Sequence, residues 1–74
     1  MSRRAYDNTR RAEQARLTRR SVLDAARDLL TERGPAAVTM RDVAAHAGVS
    51  AETVKKAFGT KAALIKAVYD VTLA

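Results

Sequence analysis

Cysteine is absent from these 74 residues, so neither a disulfide nor a thiolate metal site supports the fold. Histidine occurs once, as His46. One histidine and no cysteine cannot assemble a metal cluster, and a His-dependent triad would have to rest on a residue inside a helical stretch. The three glycines Gly34, Gly48 and Gly59 are isolated, which excludes a glycine-rich phosphate loop. Apolar runs are too short to span a bilayer. The basic N-terminus lacks the apolar run and cleavage site of a secretory signal. Asp24 and Asp28 lie one helical turn apart, but among Arg20 and Arg27 they read as a solvated face. The expectation is therefore a cytoplasmic non-enzyme with no cofactor, no metal, no catalytic residue and no membrane contact. The length allows one domain with one small core, stabilised by helix packing alone.

The charge is strongly uneven. The net charge is +6, and residues 1–20 hold seven arginines (Arg3, Arg4, Arg10, Arg11, Arg16, Arg19, Arg20) against Asp7 and Glu13. Residues 21–74 hold seven basic and six acidic residues and are nearly neutral. Residues 1–17 are read as a basic, flexible arm suited to phosphate or minor-groove contact, of which Arg10, Arg11 and Arg16, together with Arg19 and Arg20 just beyond it, are the candidate DNA-binding residues. The plainer reading is a solvated tail that aids solubility.

Residues 18–74 divide into four helices by their punctuation. The first is expected at about 18–33, with Thr18 as N-cap. Val22, Ala26, Leu29 and Leu30 form its apolar stripe, widened by Leu23 and Ala25. Arg33 suits the negative end of the dipole, Gly34 can take a left-handed cap, and Pro35 stops the helix. The second, 40–47, has Thr39 as N-cap with Asp42 as a short capping-box partner, and Val38 with Val43 in the staple positions. Val43, Ala44 and Ala47 face inward. The third, 51–58, repeats the device: Ser50 caps it, Val49 staples to Val54, and Val54, Ala57 and Phe58 pack inward. Gly59 ends it. Thr60 caps the fourth, 61–73, in which Leu64, Val68 and Val71 repeat at helical spacing, flanked by Ile65 and Tyr69.

The stretch VTMRDVAAHAGVSAETVKKAFGTK, from Val38 to Lys61, is the most informative part of the chain. Two short helices are joined only by Gly48, Val49 and Ser50. Such a crossing needs a small residue where the backbones approach, which Ala44 supplies. It needs glycine where the chain reverses and an apolar plug in the turn, and Gly48, Val49 and Val54 supply these. This is the layout of a helix-turn-helix, whose second helix can enter the major groove of DNA. The fold class expected is all-α, a small homeodomain-like bundle of about four helices.

The run from Ser21 to Leu64 resembles the N-terminal DNA-binding domain of TetR-family transcriptional regulators. The pieces that carry the resemblance are VLDAARDLLTERG, VTMRDVAAHAGVS, ETVKKAF and GTKAAL. It implies a homodimeric repressor that binds a palindromic operator. It also implies a C-terminal helical domain, absent here, that dimerises and releases DNA when it binds a small-molecule inducer. The chain alone is then expected to be a monomeric fragment that binds DNA weakly. Two positions depart from many members: Lys55 stands in place of a tyrosine and Ala57 in place of a histidine. Lysine still reaches a phosphate or guanine O6 and N7, but as a point charge.

Contact roles follow on the matching positions. Ala51, Glu52, Lys55 and Lys56 lie on the face that would meet the groove. Lys55 or Lys56 would read guanine, and Glu52 would accept from cytosine N4, or else simply favour the positive end of its helix. Ser50, Thr53 and Thr39 would donate hydroxyls to phosphates. Lys61 resembles the family's phosphate-binding lysine and is assisted by a helix N-terminus, with Arg41 a further phosphate candidate. Two rival functions stand beside double-stranded DNA binding. One is a helix-turn-helix that docks proteins. The other is a basic segment on an anionic membrane, against which the scarcity of large apolar residues in 1–20 argues.

Overall fold

The computed structural model describes the backbone of residues 3–73 and the side chains of residues 9–70. Every regular element among them is helical. α1 spans Arg3–Arg33, a single 3-10 turn spans Pro35–Ala37, α2 spans Met40–Ala47, α3 spans Ala51–Phe58 and α4 spans Lys61–Leu73. The side chains of Arg3, Arg4 and Val71 lie outside the described residues.

The first helix departs from expectation. It begins at Arg3 rather than near Thr18, so the stretch read as a flexible arm is helical from there on. The cause is local. Between Arg3 and Arg33 no glycine or proline interrupts a run rich in arginine, alanine and leucine, all good helix formers. Side-chain pairs reinforce the early turns: Glu13 holds Arg16 in an i,i+3 ion pair, and Gln14 Nε2 donates to Thr18 Oγ1 at 3.5 Å. Thr18 is thus an interior residue and not a cap. At 1.5 Å per residue α1 is about 46 Å long, which accounts for the 48 Å long axis of the molecule. Its far end is terminated as expected by glycine, with the Gly34 N–H donating to the Leu30 carbonyl at 2.9 Å. Gly34 has φ 82° but ψ 161°, so it takes an extended positive-φ conformation and not the left-handed cap.

The core forms where the second half of α1 meets the other three helices. Val22, Ala25, Ala26 and Leu29 present one buried stripe, which packs on Val38, Val43 and Ala44, on Val54, and on Leu64 and Val68. Leu23, Leu30, Met40, Ala47, Val49 and Phe58 complete it from the edges. Ala57 is exposed, against the expectation that it packs inward. α3 has only two turns and reaches the core through Val54 and Phe58, and Ala57 falls on the flank that looks along α1.

The α2–α3 connection is a Schellman motif. Gly48 is left-handed, with φ 76° and ψ 28°. Its N–H donates to the Ala45 carbonyl at 3.3 Å, and the Val49 N–H donates to the Ala44 carbonyl at 2.9 Å. Two of the four orphan carbonyls of the last turn are thereby satisfied. A Cβ on Gly48 would meet no atom within 4 Å, so the requirement for glycine is purely conformational. Gly48→Ala is expected to cost roughly 1–2 kcal/mol, and Gly48→Asn less. Urea unfolding monitored by circular dichroism checks both.

Candidate nucleic-acid interface

α3 is held out from the bundle by one inward pair and two caps. Val54 is fully buried and Phe58 half-buried, while Ala51, Glu52, Lys55 and Lys56 are all exposed. The i, i+1, i+4, i+5 spacing puts these four on one ridge. Glu52 sits in the first turn, Lys55 and Lys56 in the last, each on the side that suits the helix dipole.

The caps define what the hydroxyls can still do. Ser50 Oγ accepts from the Thr53 N–H at 3.1 Å and lies 2.8 Å from Thr53 Oγ1. One of these two hydroxyl protons is used internally, so the pair retains a single outward O–H donor. At the start of α2 the capping box is complete: the Asp42 N–H donates to Thr39 Oγ1 at 3.0 Å, and the Thr39 N–H donates to Asp42 Oδ2 at 3.1 Å. Thr39 Oγ1 acts there as an acceptor, which leaves its proton to donate elsewhere. Thr60 caps α4 in the same way, accepting from the Ala63 N–H at 3.1 Å.

Two open grooves flank the α3 ridge. On one side a groove of about 570 Å³ separates it from the N-terminal ends of α2 and α4, lined by Met40, Glu52, Lys55, Thr60 and Lys61. Lys61 is the first residue of α4. Thr39 and Lys61 line one small pocket between the starts of α2 and α4, where free N–H groups and the dipoles favour an anion, and Arg41 is exposed in the first turn of α2. On the other side a groove of about 440 Å³ lies between α3 and the N-terminal half of α1. Of the arginines expected to contact DNA, Arg11 and Arg19 line it, whereas Arg10, Arg16 and Arg20 do not. Arg16 is engaged with Glu13, whose carboxyl that hydrogen bond and the guanidinium charge hold below its usual range.

Sequence reasoning missed the partners of this second groove. Gln14 and Thr18 of α1 and Ala57 of α3 line it, and Arg19 stacks on the Phe58 ring with its guanidinium carbon 4.5 Å from the centroid. The available signal was positional: residues 11, 15, 18 and 22 continue the buried stripe of α1 toward its N-terminus. His46 is exposed, its Nε2 3.7 Å from Asp28 Oδ2, a surface tie between α2 and α1. Among the described residues no acidic, histidine or cysteine group could hold a metal ion, and no helix is long and apolar enough to cross a membrane.

The family model of bacterial regulatory proteins, tetR family, matches residues 22–68, the segment that builds the core, the turn and α3. The chain belongs to the TetR family. It is 50% identical over 50 residues to the HTH-type transcriptional repressor Rv3405c of Mycobacterium tuberculosis, covering 68% of this chain and 27% of that protein. It is also 50% identical over 48 residues to the HTH-type transcriptional regulator AlkX of the same organism, covering 65% of this chain and 23% of that protein. The chain thus spans about a quarter of the length of these relatives. No solved structure gives a significant match. Within the TetR family the aligned part is the DNA-binding helix-turn-helix domain.

The capping box makes part of this face acid-sensitive. The backbone hydrogen bond from Thr39 holds the Asp42 carboxyl below its ordinary range, helped by the Thr39 side chain and by the charges of Arg33 and Lys61. A depressed carboxylate pKa contributes stability that is fully present above the unfolded value, about 3.9, and is lost as pH falls through the lower folded value. Wild type should therefore exceed Asp42→Asn in stability near neutrality, and the difference should shrink below about pH 4. Urea unfolding at stepped pH measures it.

Proposed function

We propose that this chain reads double-stranded DNA as the operator-binding part of a TetR-family repressor, with α3 in the major groove. The observation that carries the reading is the α3 ridge itself: a capped, two-turn helix with Ala51, Glu52, Lys55 and Lys56 all outward, flanked by the N-termini of α2 and α4. In this reading Lys55 or Lys56 donates to guanine O6 and N7, and Glu52 accepts from cytosine N4 or rejects bases that offer no donor. Ala51 keeps the approach close. Lys61, Arg41 and Thr39, with the outward hydroxyl of the Ser50–Thr53 pair, hold phosphates and fix the register. The repressor role is carried over from the relative that bears that name. A longer parent would supply dimerisation, a palindromic operator would follow from its two-fold symmetry, and an inducer would bind outside this chain. The chain by itself is monomeric in this reading.

The ridge and its flanks carry both signs of charge. Affinity for generic duplex then rests on a few phosphate contacts, of which Lys61 is the central one. Titration of a fluorescent duplex at stepped salt should give saturable binding that weakens steeply as salt rises. Lys61→Ala should weaken every duplex similarly and reduce the log–log salt slope by roughly one. An unchanged slope would remove Lys61 from the interface. Absence of binding at low salt would favour a protein-docking role.

A further inference from the structure

We infer that the groove between α1 and α3 seats the second phosphate strand of the same major groove, so that α1 is a rigid half of the reader. The inference rests on the DNA-binding reading above and assigns Arg11 and Arg19 of α1, with Lys56 of α3, as the strand's cationic partners.

The placement follows from three observations. First, α3 is a ridge with a groove on each side, and a helix lying in a major groove has one phosphate strand on each side of it. Lys61 and Thr60 line the groove toward α2 and α4. The opposite strand would meet the groove toward α1, which Arg11, Arg19 and Lys56 line. Second, every described charged residue lining that groove is a cation, Arg11, Arg19 and Lys56. None of the described residues lining it is acidic, and its small residues Ala15 and Ala57 leave it open where larger ones would close it. Thr18 Oγ1 is used as an acceptor by Gln14, which leaves the Thr18 hydroxyl proton outward as a neutral donor.

Third, the groove is preorganised. The stripe of α1 that is buried from Val22 to Leu29 continues without a break in the helix to Arg11. Arg19 stacks on Phe58, 4.5 Å from the ring centroid, a contact that favours its position beside α3. A helical arm delivers its arginines already positioned relative to the recognition helix. A flexible one would first have to be ordered, at an entropic cost. This separates the arginines of the N-terminal segment by role: Arg11 and Arg19 belong to the seat, and Arg16 is engaged with Glu13.

The test is the salt slope of duplex binding by this chain, with wild type, Arg11→Gln, Arg19→Gln, the double variant, Lys61→Ala and Lys66→Gln compared by fluorescence anisotropy. Lys66 is exposed on α4 and lines neither groove. Arg11→Gln and Arg19→Gln should each lower the slope by roughly one, and the double variant by roughly two, with affinity falling for every duplex sequence alike. Lys66→Gln should lower it much less. The stack on Phe58 is made by Arg19, so Arg11→Gln tests the seat with that stack left in place. Arg19→Lys, which keeps the charge, should recover most of the slope lost in Arg19→Gln. If wild type binds and Lys61→Ala lowers the slope, but Arg11→Gln and Arg19→Gln match Lys66→Gln, the α1–α3 seat is overturned while the DNA-binding reading stands. If wild type binds no duplex, both fall.

Discussion

The left-handed backbone at Gly48 is the constraint on which the rest of this small domain depends. Reversal within three residues sends α3 across α2 steeply enough for Val54 to plug the core while the opposite face of α3 stays fully outside. Two of the four carbonyls left by the end of α2, those of Ala44 and Ala45, are satisfied within the turn itself. Ala44 provides the close approach and the acceptor for Val49 at once. In a domain without cysteine, whose buried side chains are valine, alanine and leucine, the small core stabilises only modestly, and such local satisfaction adds to it.

α1 serves two ends of the same molecule. Its second half supplies Val22, Ala25, Ala26 and Leu29 to the core. Its first half runs past the bundle and turns the same stripe, now polar and cationic, toward α3. The Arg19–Phe58 stack joins the halves to α3. Membership of the TetR family makes residues 22–68 a DNA-binding helix-turn-helix domain, and the proposed docking puts the DNA on its α3 face. The particular chemistry of that face in this chain lies in Glu52, Lys55 and Lys56, a mixed-charge ridge between two cation-lined grooves.

Features that depend on a few adjacent residues were legible in the sequence. The Thr39–Asp42 box, the Ser50 and Thr60 caps and the Gly48 reversal are each decided by hydrogen bonds spanning five residues or fewer, and each stands where its residues predict. The buried stripe of α1 was legible for the same reason. The start of α1 was not. Thr18 carries a cap signature, but a cap is a boundary only when the preceding chain declines to be helical, and residues 3–17 do not decline. Ala57 was misplaced because its side depends on how α3 is rolled against α1, a tertiary property. The α1–α3 groove was invisible for both reasons together. The arginine cluster was plain, yet which arginines face α3 follows only once the helix is known to continue.

The central claim is that DNA docks on the α3 ridge and the flanks beside it. Amide chemical-shift mapping of the isotopically labelled chain with a duplex tests it most directly. The docking described here predicts that the largest shifts fall on Ser50–Phe58, on the N-termini of α2 and α4 and on α1 around Arg11–Arg19. The opposite face, at Arg27, Thr31 and Tyr69, should stay still. Shifts centred on Tyr69 and the α1–α4 face, with α3 unperturbed, would contradict it.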